Sequence, residues 1–391
     1  QMPETALIDT KSLVAITAGT FILPFFLLSG IAGQLADKFE KSGIVRTLKN
    51  VEIILTIFAG ISLYFESYPA LLVVLFLMGT QSTFFGPIKY SLLPQHLEIS
   101  ELTGANGIIQ AGTYAAIIVG GFIGGTMMSG EGNSALNLMI VMTGIACSGR
   151  IAAKFIPLAE ANEPNLKLKI NPISSGWYLI KSNLSQKGTA VLIVLISLFW
   201  FMGSAYFTLI PIYGKEILEA TAFNVSFLTL ALAIGVGIGS LICEKISRGV
   251  IDLGLVSIAI VLISLISIEI FFIGEKSSDA SSCDVIGIFP MKCFDRFFVD
   301  MIGLGIAGAL YVIPLYAALQ SRIERTHRAR TMASLNITNA LFMVISSVFT
   351  LILFQFNIAT HYIFTAVGLL NVGITFYASI FAPEILWQRR K

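Results

Sequence analysis

The segment GQLADKFEK, residues 33–41, decides how the rest of this chain is interpreted. It follows an apolar run that covers 12–33, and it places Asp37 and Lys38 directly after that run. A bilayer core about 30 Å thick needs about 20 apolar residues in a helix. The run is long enough, so residues 33–41 predict the polar end of a membrane-spanning helix.

The composition of the whole chain agrees with this interpretation. Of 391 residues, 55% are hydrophobic and 12% are charged, and the mean hydropathy is +0.84. An average soluble domain has about 25% charged residues. This balance excludes a disordered chain, a disulfide-stapled secreted domain and an ordinary cytosolic enzyme, and it predicts a polytopic membrane protein.

Eleven runs have the length and apolar character of a spanning helix. They cover 12–33, 48–65, 69–89, 105–128, 136–157, 190–213, 222–243, 253–273, 297–320, 332–355 and 359–382. Strands of a membrane barrel would instead alternate apolar and polar residues over about 10 positions. The prediction is therefore an all-α fold.

The basic residues orient these spans. With eleven helices, 20 of the 25 Lys and Arg residues fall on one side, which the positive-inside rule makes cytoplasmic. The C-terminus is then cytoplasmic and Gln1 lies outside, with no signal segment before it. We therefore expect a further helix upstream of Gln1, which would make twelve.

The chain divides at a segment rich in Pro, Lys, Asn and Ser. The expected organisation is an N-terminal bundle at 1–157, a cytoplasmic linker at 158–189 and a C-terminal bundle at 190–391. The segment GSLICEK, residues 239–245, weakly repeats 33–41 at an offset of 206 residues. Parallel repeats of this size are a known transporter architecture.

On residues 33–39 the chain resembles the major facilitator superfamily, whose signature between helices two and three has this form. The resemblance implies two six-helix bundles that work by alternating access, with 12–33 as family helix two. It also implies a conformational latch formed by Gly33, Asp37, Lys38 and Arg330, in which Asp37 accepts hydrogen bonds from a facing helix N-terminus. A solvated helix end with mixed charges is the alternative.

Other segments resemble bacterial lysophospholipid transporters. They are 86–94, 102–107, 120–125, 197–200 and 387–390. The resemblance implies inward movement of lysophospholipid, notably lysophosphatidylethanolamine, across the bacterial inner membrane for re-acylation. It implies as partners the substrate, membrane lipids and an acyltransferase and acyl-carrier-protein synthetase, either separate or fused. We expect a monomer without cofactors or nucleic acid.

Lys89 is the main candidate for binding substrate. It lies 18 residues into its apolar run, about 27 Å at 1.5 Å per residue, and the family resemblance points to the same residue. An ammonium there can meet a lipid phosphate, or it can simply extend toward the membrane surface.

The other candidates for binding substrate are amides, hydroxyls and phenols within the runs. They are Gln81, Asn106, Gln110, Thr113, Tyr114, Tyr206 and Asn339. Asn106, Gln110 and Thr113 share one helical face. That face can line a cavity or form hydrogen bonds with neighbouring helices, and the sequence leaves both open.

Two acids lie inside the apolar runs. Glu52 and Glu269 fall near the ends of their runs, so we expect interfacial solvation rather than proton coupling. The family has an Arg in helix seven and an acid in helix eleven, whereas the positions around Phe207 and Asn339 are uncharged here. This departure leaves head-group identity and ion coupling open.

Glycines cluster in two of the runs. Gly120, Gly121, Gly124 and Gly125 are in one, and Gly235, Gly237 and Gly239 are in another. Small residues let helices approach closely. They predict either a sliding interface between the bundles or static packing.

The main prediction is a lysophospholipid transporter and not an enzyme. The Gly-x-x-x-x-Gly-Lys-Ser/Thr phosphate-binding pattern is absent, and so is the His-x-x-x-x-Asp pattern of acyltransferases. The alternatives are a transporter for another amphiphilic solute, such as a drug-like compound or a siderophore, and a membrane scaffold for a partner enzyme.

Overall fold

The helices of this protein follow its apolar runs. The computed structural model describes residues 10–129, 134–276, 292–381 and 389–390. Its helices are α1 (Thr10–Lys38), α2 (Lys41–Tyr64), α3 (Tyr68–His96), α4 (Leu102–Ser129), α5 (Ser134–Ala152), α6 (Pro172–Leu184), α7 (Lys187–Glu216), α8 (Ala222–Ser247), α9 (Gly254–Lys276), α10 (Cys293–Arg322), α11 (Arg328–Gln355) and α12 (Thr360–Phe381). Two short strands, β1 (Ile251–Asp252) and β2 (Arg389–Arg390), pair antiparallel.

The all-α, polytopic fold predicted from the sequence is confirmed. Among the described residues, nine helices are long and apolar enough to cross a membrane. The other two predicted spans, 48–65 and 359–382, correspond to α2 and α12, which are helices of 24 and 22 residues. Of the resembling segment 387–390, positions 387 and 388 lie outside the described residues.

Helix α2 begins earlier than its apolar run. The Glu40 carboxylate accepts hydrogen bonds from the backbone N–H groups of Ser42 (2.7 Å) and Gly43 (2.6 Å), and this cap starts the helix at Lys41. Glu52 is therefore the twelfth of 24 residues. The apolar run 48–65 begins later than the helix, because the first turns of α2 carry charged residues. The expectation that Glu52 lies near the end of its membrane span stays a prediction.

The predicted linker contains a helix of its own. In the 13-residue α6, Ser175, Gly176 and Leu179 are buried, whereas Trp177 and Tyr178 are exposed. The helix α6 is therefore amphipathic, and its exposed face carries two aromatic side chains. Such rings are favoured at the boundary between membrane and water.

The chain forms two compact units. The first comprises the described residues within 1–96, 123–183 and 323–340, and the second those within 97–122, 184–322 and 341–391. In the first unit, α1 packs on α3, and α2 packs on both α3 and α5. In the second, α10 packs against α7, α8 and α9. The predicted bundles at 1–157 and 190–391 stay a prediction.

Close contact between α8 and α10 depends on glycine in the second unit. A Cβ atom on Gly239 would lie 2.7 Å from the Cα atom of Ile306 and 2.8 Å from the Cβ atom of Ala309. A Cβ atom on Gly237 would have no described atom within 4 Å, and the same holds for Gly120, Gly121, Gly124 and Gly125. Gly239 therefore packs tightly within its own unit.

We expect Gly239→Ala to lower the free energy of unfolding by about 1–3 kcal/mol, because the added methyl group forces α8 away from the α10 backbone. Gly237→Ala on the same helix is the control, and it should be neutral or stabilising by up to about 1 kcal/mol. Thermal unfolding of the purified protein in detergent measures both. Equal effects of the two substitutions would contradict the packing assignment.

Candidate functional site

Asp37 lies at the N-terminus of α11, where its carboxylate is fully buried. The carboxylate accepts hydrogen bonds from the backbone N–H groups of Ala329 (3.1 Å) and Arg330 (3.1 Å). It also accepts a bond from Nε of Arg330 at 3.0 Å. The first turn of a helix has unpaired N–H groups and a partial positive charge. Asp37 therefore neutralises both the helix end and the guanidinium.

The linker completes this cluster with two residues that sequence reasoning missed. Asn162 donates through Nδ2 to Oδ1 of Asp37 at 3.2 Å, and Glu163 forms an ion pair with Arg330. The backbone N–H of Glu163 donates to the carbonyl oxygen of Asp37 at 2.8 Å. We call Asp37, Asn162, Glu163 and Arg330 the α1–α11 cluster. Its linker members have no motif in the sequence that marks them.

The other predicted latch residues lie nearby but make different contacts. A Cβ atom on Gly33 would lie 2.6 Å from the Cβ atom of Ala333 and 2.9 Å from the Cα atom of Arg330. Only glycine lets α1 approach α11 this closely. Lys38 instead donates to the carbonyl oxygen of Leu166 at 2.9 Å, so it binds the linker to the end of α1.

Further hydrogen bonds join the linker to α1, to α2 and to the residues between them. The backbone N–H of Lys41 donates to Ala159 (3.0 Å), and the N–H of Ala159 donates to Glu40 (2.9 Å). Gln34 accepts from the N–H of Lys169 at 2.8 Å and donates to Oγ of Ser175 at 2.6 Å. These bonds bring 159–175 against the same helix end that carries Asp37.

Lys89 and Gln81 lie on α3 with different surroundings. Lys89 is partly exposed, seven residues before the end of the helix at His96, or about 10 Å along its axis. Its Nζ atom lies 4.7 Å from the centroid of the Tyr90 ring. Gln81 is buried and donates to Oε2 of Glu52 on α2 at 2.9 Å.

Glu52 forms an ion pair that the sequence did not indicate. Nζ of Lys49 lies 2.8 Å from the same Glu52 oxygen that Gln81 contacts. Lys49, counted with the cytoplasmic bases in the sequence, is the ninth residue of α2. The two charges are three residues apart in the sequence, a spacing that puts them on one helical face.

This polar group lines a cavity in the first unit. The cavity has a volume of about 350 Å³, within the usual range for ligand pockets. Its walls come from α1, α2, α3 and α5, and they are formed by Phe21, Lys49, Glu52, Leu55, Thr56, Met78, Gln81, Ser82, Phe85, Met142, Ile145 and Ala146. We call it the α2–α3 cavity. Polar side chains of α2 and α3 face it together with apolar side chains of all four helices.

Other predicted binding residues belong to the second unit. Asn106 donates to Gln320 at 2.6 Å and accepts a bond from it at 3.2 Å, and both side chains are buried. Gln110 is also buried, and Thr113 donates to the carbonyl oxygen of Ile109. For Asn106, the geometry is that of a hydrogen bond between α4 and α10.

Tyr114 and Tyr206 line a second, much smaller cavity in that unit, with a volume of about 30 Å³. The Tyr114 ring stacks on Phe207 at 6.3 Å and the Tyr206 ring stacks on Phe364 at 5.3 Å. A space of this size accommodates about one water molecule. The last predicted residue, Asn339, is buried on α11 in the first unit.

A resident metal ion has no candidate site in the described part of the chain. No three His, Cys, Asp or Glu side chains come together there in a set that could hold one. The acids Asp37 and Glu52 are paired with Arg330 and Lys49 instead.

The fold is similar to that of solved transporters. The structure of the human organic anion transporter MFSD10 (TETRAN) aligns with a TM-score of 0.70 over 95% of this chain and 85% of that chain, at 14% identity. The structure of the E. coli fucose:proton symporter FucP aligns with a TM-score of 0.67 over 94% and 90%, at 9% identity. Identities this low establish a shared fold alone.

Sequence comparison finds relatives that cover nearly the whole chain. The lysophospholipid transporter LplT of Cronobacter sakazakii is 23% identical over 375 residues, or 95% of this chain and 86% of its own length. The lysophospholipid transporter LplT of Photorhabdus laumondii is 26% identical over 313 residues, or 78% and 70%.

A match to a protein-family model assigns the chain to a family. Residues 4–289, well over half of the chain, match the model of the Major Facilitator Superfamily. The match includes α1 to α9 and the segment 33–41, which carries the superfamily signature. Together with the helical fold and the transporters that share it, this match confirms the prediction: the chain belongs to the Major Facilitator Superfamily.

Proposed function

We propose that this transporter moves lysophospholipid, with lysophosphatidylethanolamine as the main substrate, toward the cytoplasmic leaflet of a bacterial inner membrane. The observation that carries the proposal is similarity to lysophospholipid transporters over 95% of the chain. On this proposal the product feeds an acyltransferase, separate or fused, that restores the second acyl chain. The protein acts as a monomer, with its C-terminus in the cytoplasm.

The chemistry of the α2–α3 cavity supports an amphiphilic substrate. Lys49, Glu52 and Gln81 offer charge and hydrogen bonds to a head group. Phe21 and Met142, among other apolar residues, offer a surface for an acyl chain. A substrate with one charged end and one hydrocarbon chain matches this combination, because each part meets groups of its own polarity.

We assign Lys89 the role of a phosphate contact. Lys89 is a partly exposed residue, about 10 Å from the end of α3. A cation at that depth can attract a lipid phosphate through a charge-assisted hydrogen bond. The remaining binding assignments (Gln81, Asn106, Gln110, Thr113, Tyr114, Tyr206 and Asn339) belong to the same proposal.

We assign the α1–α11 cluster the role of a latch. Asp37 is buried and accepts three hydrogen bonds from α11. Separation of α1 from α11 would leave this carboxylate and the Arg330 guanidinium without partners until water reached them, which is costly. The cluster therefore favours the state in which the two helices touch, and its rupture accompanies the opposite state of the transport cycle.

The first test is uptake of labelled lysophosphatidylethanolamine by vesicles that contain the purified protein. We expect uptake well above that of empty vesicles. Folded protein that binds lysophospholipid without uptake would favour a scaffold, and folded protein without either property would refute the proposed substrate. A panel of amphiphilic drugs and siderophores then tests the other solutes.

Lys89→Ala should reduce the initial rate of lysophospholipid uptake by about 10- to 100-fold, because a hydrogen bond to a charged group contributes about 1.5–3 kcal/mol. Lys89→Arg keeps the positive charge and should retain most of the rate. Lys245→Ala, at an exposed position on α8, is the control for loss of a surface lysine. Unchanged uptake with Lys89→Ala would mean that Lys89 only extends toward the membrane surface.

Asp37→Asn should reduce transport at least about 10-fold and lower the free energy of unfolding by about 1–3 kcal/mol, because Arg330 loses a buried ionic partner. Asn162→Ala removes a neutral hydrogen bond to the same carboxylate and should have a smaller effect. Initial uptake rates and thermal unfolding measure both variants. Wild-type uptake by Asp37→Asn would refute the latch.

A further inference from the structure

The helix α6 in the linker packs mainly through small and polar residues. Its buried face is formed by Ser175, Gly176, Leu179 and Asn183. Oγ of Ser175 accepts a hydrogen bond from Nε2 of Gln34 on α1 at 2.6 Å. Oδ1 of Asn183 accepts one from the hydroxyl group of Thr331 on α11 at 3.0 Å. The inward face of α6 is therefore bound to the same two helices that meet at the α1–α11 cluster.

The large apolar side chains of α6 lie on its outward face. Ile173 is 76% exposed and Trp177 is 68% exposed, and Tyr178 and Leu184 are exposed as well. Positions 173, 177 and 184 are separated by four and seven residues, which puts them on one side of a helix. A surface helix of a soluble protein has the reverse arrangement, with its apolar stripe inward. The outward face of α6 is therefore suited to an apolar medium and not to water.

The neighbours of α6 place this face near the membrane boundary. Ser185 and Gln186 alone separate α6 from α7, which is long and apolar enough to cross a membrane. A Cβ atom on Gly30 of α1 would lie 2.7 Å from the backbone N atom of Gly176. Gly30 lies eight residues before the end of α1, about 12 Å along the helix axis. The middle of α6 thus lies beside the last turns of one spanning helix and shortly before the start of another.

Positive charge surrounds this apolar face. Residues 164–214 contain no acid and four basic residues, which are Lys167, Lys169, Lys181 and Lys187. All four lysines are exposed. Nζ of Lys169 lies 4.0 Å from the centroid of the Tyr178 ring, so an ammonium group adjoins the aromatic face. Lysines beside exposed aromatic and aliphatic side chains are typical of helices that lie in the surface of an anionic membrane.

We propose that α6 and its flanking lysines form a binding surface for anionic phospholipids of the adjacent membrane leaflet. The Trp177 ring lies among the lipid head groups, and the lipid phosphates are bound by the ammonium groups of Lys167, Lys169, Lys181 and Lys187. With the C-terminus in the cytoplasm, as proposed, this is the cytoplasmic leaflet. The bound lipid is a component of the bilayer and not a transported solute, so the inference goes beyond the proposed function and does not depend on the substrate.

Charge and depth together favour a lipid surface over a protein partner. A bilayer offers an apolar region and phosphate groups side by side, and α6 presents an apolar face with lysines around it. A lysine near an anionic membrane surface strengthens binding by about 5-fold. An acidic protein could pair with the lysines, but it would also have to displace lipid from the face of α6 that lies beside α1.

The test uses Trp177 to report which lipid lies beside α6. Trp200→Phe together with Trp387→Phe leaves Trp177 as the only tryptophan of the chain. The protein is reconstituted in bilayers of equal parts phosphatidylcholine and phosphatidylglycerol, in which one lipid or the other is brominated. Bromine quenches tryptophan fluorescence at short range. We expect brominated phosphatidylglycerol to quench at least about 2-fold more than brominated phosphatidylcholine, and high salt should reduce this ratio because it screens the lysines.

Matched double variants test the role of the lysines. Lys167→Gln with Lys181→Gln should bring the quenching ratio close to 1, while Lys169 keeps its contact with the aromatic ring. Lys215→Gln with Lys245→Gln removes the same charge from exposed positions on α7 and α8 and should leave the ratio unchanged. Equal effects of the two pairs would overturn the proposal, and so would a ratio of 1 in protein with all its lysines. Weak quenching by both lipids would mean that water, an acidic protein or a second copy of the chain meets α6, which also overturns it.

A comparison that keeps the native tryptophans covers the case in which the single-tryptophan protein does not fold. Trp177 is exposed, so Trp177→Phe removes little packing. The quenching that the wild-type protein shows and Trp177→Phe lacks should have the same preference for phosphatidylglycerol, and identical quenching of the two proteins would overturn the proposal. The measurement requires no substrate. A failure of lysophospholipid uptake would therefore refute the proposed substrate and leave this result standing.

Discussion

A charge buried inside a protein must be matched nearby, because the protein interior offers it little solvation. Asp37 illustrates how this constraint organises the first unit. Its buried carboxylate is matched by the N-terminus of α11 and by Arg330, and Gly33 permits the close approach that these bonds require. The end of α1, the start of α11 and the linker all meet at this one charge. Local sequence at 33–37 thus determines a contact with residues almost 300 positions later.

The linker contributes directly to that contact. Glu163 pairs with Arg330, and backbone and side-chain bonds fasten 159–175 to α1 and α2. Arg330 therefore has two carboxylate partners, one on α1 and one on the linker. One guanidinium thus joins α11 both to α1 and to the linker. The linker is in this sense a part of the α1–α11 cluster and not only a covalent connection between two groups of helices.

The sequence predicted the helices well because apolar runs of about 20 residues have few alternatives in a membrane. It predicted less about the site. The partner of Asp37 was expected near Arg330, since a helix N-terminus attracts an acid, but Asn162 and Glu163 lie in an irregular segment without periodicity. Hydropathy also gave no sign of where α2 begins, because charged residues after Lys41 conceal its first turns. Polar pairs between helices, such as Asn106 with Gln320, depend on packing across more than 200 residues.

The same balance of charge bears on how this chain differs from its family. The positions around Phe207 and Asn339, where the resemblance implies an Arg and an acid, are uncharged here. The first unit nevertheless contains one base and one acid that face a common cavity, Lys49 and Glu52. On the proposed function, the absence of charge at those two positions is compatible with a polar head group, because a matched pair of charges lines a cavity elsewhere in the chain.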